Sequence, residues 1–69
     1  MKNIEILTKI ANALVDDLPM EAQRLARKYK TNSLKRYFQD KLGWDLCLAT
    51  SAAMFCKGNC DWEIYKSVR

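Results

Sequence analysis

Three cysteines are the chain's only candidates for soft-metal or thiolate chemistry: Cys47, Cys56 and Cys60. Eight and three residues separate them, so no Cys-x-x-Cys pair exists. A zinc site would need a fourth ligand, and with no histidine in the chain only Asp45, Asp61 or another carboxylate could supply it. Structural zinc favours thiolate and imidazole, so no metal and no cofactor is expected. Nucleophilic thiol chemistry needs a base to form the thiolate. Lys57 beside Cys56 is a weak substitute for histidine in that role. The cysteines therefore read as small apolar fillers or exposed thiols.

Asp16 and Asp17 are the one adjacent carboxylate pair. Neighbours on a helix point about 100° apart and share a substrate or proton poorly. One of the two is expected to cap the second helix, and the other to sit in water. Gly43 and Gly58 stand alone, so no glycine-rich phosphate loop is present. No catalytic set is found, and an enzyme is not expected.

Charge is the most informative pattern. Residues 1–23 carry a net −2 and residues 42–69 are neutral. Residues 24–41 carry Arg24, Arg27, Lys28, Lys30, Lys35, Arg36 and Lys41 against Asp40 alone, a net +6. Such a face could meet phosphates or an acidic protein surface. It could equally do no more than solvate two helices. Among seven aromatic side chains, Trp44 and Trp62 lie beside chain breaks, where they can cover a small core from its edges. An exposed aromatic beside an arginine is also the usual composition of a binding hot spot. Arg24, Arg27, Lys28, Lys35, Arg36, Tyr37 and Trp44 are accordingly the candidate partner-binding residues.

These residues need a scaffold. Ile4, Leu7, Ala11, Leu14 and Leu18, with Ile10 beside them, recur at steps of three and four and predict a first helix. The stripe suits internal packing, and it also admits a second copy of the chain, a homodimer. Asp17-Leu18-Pro19 ends it, and Pro19 fits the first position of a second helix. That helix is predicted to run to Tyr29 or Lys30, burying Met20, Ala22, Leu25, Ala26 and Tyr29. Asn32 or Ser33 can cap a third helix with Leu34, Tyr37, Phe38 and Leu42 inward, stopped by Gly43. For residues 46–57 two readings compete. One is a helix capped by Asp45 and stopped by Gly58, with Leu46, Ala49, Ala53 and Cys56 inward. The other is a short strand through Leu46, Leu48 and Thr50. Alanine content favours the helix. A last helix through Trp62, Tyr65 and Val68 would be capped by Asn59 or Asp61.

The prediction is one all-α domain, 1–69, of four or five short helices around one small core. Sixty-nine residues and two glycines exclude a turn-rich β-sandwich and a deep cofactor cleft. No apolar run long enough to span a membrane occurs. Glu5 interrupts the start where a signal peptide would be apolar, so a cytoplasmic protein with free thiols is expected.

The basic helix pair with its short turn resembles a helix-turn-helix only loosely. Placing Ala26 at the small-residue position buries Arg36 and Gln39 and exposes Leu34, Tyr37 and Phe38, which is the wrong face. A turn one residue longer buries Tyr37 but forces Arg27 into the small-residue slot. The preferred expectation is a module that docks on a larger protein to block or recruit it. The alternative is a nucleic-acid-binding regulator using residues 24–41, through backbone contacts that need no such phase.

Overall fold

A computed structural model describes residues 2–69, with side chains from Ile4 onward. Five α-helices follow in order: α1 Lys2–Val15, α2 Pro19–Leu25, α3 Thr31–Asp40, α4 Leu46–Cys56 and α5 Trp62–Val68. A 3-10 turn, Ala26–Lys28, follows α2, and no strand occurs among the described residues. The all-α reading holds, and the strand through Leu46, Leu48 and Thr50 does not form.

The punctuation of the chain explains these boundaries. α1 ends with Asp17 in the left-handed region at φ +60°, a conformation that aspartate tolerates better than most residues. The Leu18 N–H then closes back on the Ala13 carbonyl at 2.8 Å. Neither aspartate caps α2. Its N-cap is Leu18 (φ −116°, ψ 72°), kept out of the helical region ahead of Pro19, whose missing N–H leaves one less donor to satisfy. α2 also stops earlier than the pattern suggests. It tightens into the 3-10 turn and then becomes extended at Tyr29 (φ −108°, ψ 151°). α3 accordingly starts at Thr31 with Lys30 as N-cap, ahead of Asn32 and Ser33.

Gly43 takes φ +73° and turns the chain after α3, leaving Leu42 beyond the helix and exposed. Asp45 caps α4 as expected, its Oδ1 accepting the Leu48 N–H at 2.9 Å. Gly58, at φ +79°, ends α4 with the Gly58 and Asn59 N–H groups returned to the Phe55 and Met54 carbonyls. Asp61, and not Asn59, is the N-cap of α5, without a side-chain hydrogen bond.

α4 sits at the centre and packs against α3, α5 and α2, while α1 lies over α2 and α3. α4 carries no charged residue, and Ala49, Ala52, Ala53, Phe55 and Cys56 are buried. The alanines let neighbouring helices come close, and Ile10, Leu14, Leu34, Phe38 and Tyr65 fill the space between them. The stripe of α1 thus packs internally. Its ends do not: Ile4 and Leu18 are exposed. Met20, expected inside, is 79% exposed, Leu46 is 58% exposed and Val68 is also at the surface. Each lies in the first or last turn of a helix or just beyond one, where the covering neighbour has run out.

Both indoles cover edges of the core. Trp44 stacks on Phe38 with ring centroids 4.7 Å apart, and Trp62 lies 4.9 Å from Phe55 and 5.0 Å from Tyr65.

Candidate interaction surface

The basic segment folds into two adjoining faces. On the first, Arg24, Arg27 and Lys28 are exposed and line a shallow groove whose floor is Ile6 of α1 with Leu25 and Tyr29. On the second, the outward side of α3 presents Asn32, Lys35, Arg36 and Gln39 with the carboxylate of Asp40, opposite the buried Leu34 and Phe38. Arg36 also borders an apolar depression with Ile4, Leu7 and Tyr37 between α1 and α3.

Two ion pairs occur among the described residues. Arg24 holds Glu21 at 2.6 Å, one helical turn away on the exposed face of α2. Arg69 holds Asp17 at 3.0 Å. Arg27, Lys28, Lys30, Lys35, Arg36 and Lys41 therefore have no carboxylate partner among the described residues. Their charge is left to solvent or to whatever binds there.

Tyr37 and Trp44 occupy different places. The Tyr37 hydroxyl lies 3.2 Å from Thr8 Oγ1, and its half-buried ring meets the edge of Phe38. Tyr37 thus borders the α1–α3 depression. Trp44 lies in the α3–α4 loop on Phe38, away from the groove that Arg24, Arg27 and Lys28 share.

The thiols are chemically separate. Cys47 is exposed, Cys60 is half-buried with Sγ 3.6 Å from the Asp61 carbonyl, and Cys56 is in the core. Burial pushes the Cys56 thiol up to about 12, against a small opposing effect from Lys57. Among the described residues no three cysteine, aspartate or glutamate side chains gather closely enough to hold a metal ion. No helix among them is long and apolar enough to cross a membrane.

Three features of this surface are not visible in the sequence pattern read above. Lys57, besides its small effect on the Cys56 thiol, closes a neighbouring turn. Its Nζ donates to the Ala26 and Arg27 carbonyls at 3.2 and 3.0 Å, closing the C-terminal end of the 3-10 turn beneath the basic face. Gln23 returns the favour to α4 through the Phe55 carbonyl at 3.0 Å. Ile6 was left off the α1 stripe. The line Ile6–Ile10–Ala13 would have revealed it, because a helix packed on two neighbours needs a wider apolar face than one.

Comparison with protein-family models, with curated proteins and with solved structures returned no match.

Proposed function

We propose that this chain is a non-catalytic docking module, which binds a larger protein through the surface built on residues 24–41 and blocks or recruits it. One observation carries the reading. Arg27 and Lys28, without carboxylate partners among the described residues, and Arg24, paired only with its exposed neighbour Glu21, stand at the rim of an apolar floor made by Ile6, Leu25 and Tyr29. A nucleic-acid backbone asks only for the cations, whereas a protein hot spot combines arginine with apolar and aromatic area. Tyr37 beside Arg36 repeats the combination on the α1–α3 side. Three free thiols fit a reducing compartment, the cytoplasm.

A second reading has its own observation. Asn32, Lys35, Arg36 and Gln39 on the open side of α3 are side chains able to contact bases and phosphates. It is the weaker reading, because α3 lacks the helix-turn-helix phase.

Capture of partners by the tagged protein, with and without nuclease, separates the two. Docking on a protein requires that the same partner remain after nuclease treatment. It also requires that Arg27→Lys bind less well than wild type, because lysine lacks the planar fork of donors. A partner lost with nuclease, insensitive to Arg27→Lys and to Tyr37→Ala, makes nucleic acid the target.

A further inference from the structure

The groove between α1 and the segment formed by α2 and its 3-10 turn has a defined chemistry. Its floor is Ile6, Leu25 and Tyr29, and its rim is Arg24, Arg27 and Lys28. Arg24 and Arg27 also face Met20, the most exposed of the large apolar side chains. The surface is thus an apolar strip crossed by cations. With α2 at 1.5 Å per residue and the 3-10 turn at about 2 Å, it runs about 15 Å, roughly three turns of a facing helix.

One carboxylate already sits there. Glu21 holds Arg24 through Oε2 at 2.6 Å and Oε1 at 3.3 Å. Both side chains are substantially exposed, so this pair is easily exchanged. Arg27 and Lys28 have no such partner among the described residues.

We propose that this groove receives an acidic amphipathic helix of the partner protein, and that Glu21 stands in for one of its carboxylates on Arg24 until it docks. The inference rests on the docking reading above and adds the chemistry of what docks. Charge complementarity selects an acidic segment, and the apolar floor selects one with an apolar side chain every three or four residues. Glu21 is then a built-in competitor. It weakens binding by repelling the incoming acids and by occupying Arg24.

The test uses the full chain and a synthetic helical peptide of about 18 residues, about five turns, with leucine on one face and glutamate elsewhere. A second peptide keeps every glutamate and replaces each leucine with serine, and a short DNA duplex is the third probe. Amide shifts of the labelled protein report where each binds. The leucine peptide is expected to move Ile6, Leu25, Arg27, Lys28 and Tyr29, and to bind about tenfold or more tighter than the serine peptide. Arg27→Glu and Lys28→Glu, both at exposed positions, should each weaken it by about tenfold at unchanged helicity. Glu21→Gln should tighten it about twofold to fivefold, the worth of an exposed ion pair.

Equal binding of the two peptides overturns the inference, as does a duplex that outcompetes them or a response confined to Asn32, Arg36 and Gln39. Glu21→Gln binding no tighter than wild type removes its competitor role. If nuclease-resistant capture depends on Arg27 and Lys28 while the leucine peptide fails to bind, docking stands and the acidic helix falls. If both fail, docking itself falls.

Discussion

α4 and the α2–α3 rim are made from opposite materials. α4 has no charge along its length and is enclosed by α2, α3 and α5. The rim carries the net +6 of residues 24–41 and keeps most of its cations in solvent. The two touch at few polar points, chiefly Lys57 on the Ala26 and Arg27 carbonyls and Gln23 on Phe55. α4 therefore contributes packing alone, whereas the α2–α3 segment lends Ala26, Leu34 and Phe38 to the core and turns its charge outward. A chain this small can then vary its surface charge without disturbing its core, and the division should be visible in the response to substitution.

The largest effect belongs on the enclosed side. Leu14 is fully buried, and Leu14→Ala should cost about 2–5 kcal/mol, comparable with the whole stability of a domain this size. Denaturant unfolding followed by circular dichroism measures it. An unchanged midpoint would mean that α1 packs on something other than this core.

Alkaline pH probes the same region. The Cys56 thiol, pushed up to about 12 by burial, is neutral in the fold and ionises near its ordinary value of 9.0 once exposed. The unfolded chain therefore releases its proton first as pH rises, so stability is intact below about pH 9 and falls between 9 and about 12. Burial also raises the Tyr65 phenol, opposed by the Arg69 guanidinium, which adds to the loss in the alkaline range. Cys56→Ala should lose less stability than wild type between pH 9 and about 12, by up to a few kcal/mol. Identical pH profiles would place Cys56 in contact with solvent.

The seam between the regions comes next. Lys57→Met should cost about 1–2 kcal/mol, because two carbonyls lose a charged donor and one of them is partly buried. Thermal unfolding reads this, and a neutral result would make the two regions independent at that point.

The smallest effect belongs to the rim. Arg27→Gln, Lys28→Gln and Arg36→Gln should each leave stability within about 0.5 kcal/mol, since the side chains are exposed and without ion pairs among the described residues. A larger loss would mean that these cations are structural.

The sequence was most legible where one residue decides local geometry. Pro19, Gly43, Asp45 and Gly58 each mark the boundary that their backbone or side chain enforces. The inward faces of α3 and α4 were legible too, because Leu34, Phe38, Ala49, Ala53 and Cys56 are buried as their periodicity requires. Burial of side chains at helix ends was not. Met20 and Leu46 have the right phase, but only the arrival of a neighbour buries a side chain, and no local pattern encodes where that neighbour stops. Long-range closures were hidden for the same reason. Arg69 donates to the Leu14 carbonyl at 3.0 Å from the far end of the chain, and Lys57 reaches back to Ala26 and Arg27. At the candidate site the charge block could be read directly. The groove could not, because its floor joins Ile6 to Leu25 and Tyr29 across two helices.

The separation of core from proposed docking surface is tested most directly by quantitative capture from nuclease-treated lysate with the double variant Arg27→Glu, Lys28→Glu, at a melting temperature matched to wild type. The account requires the bound protein partner to fall about tenfold or more while the fold is unchanged. The same partner retained at the same yield would contradict it.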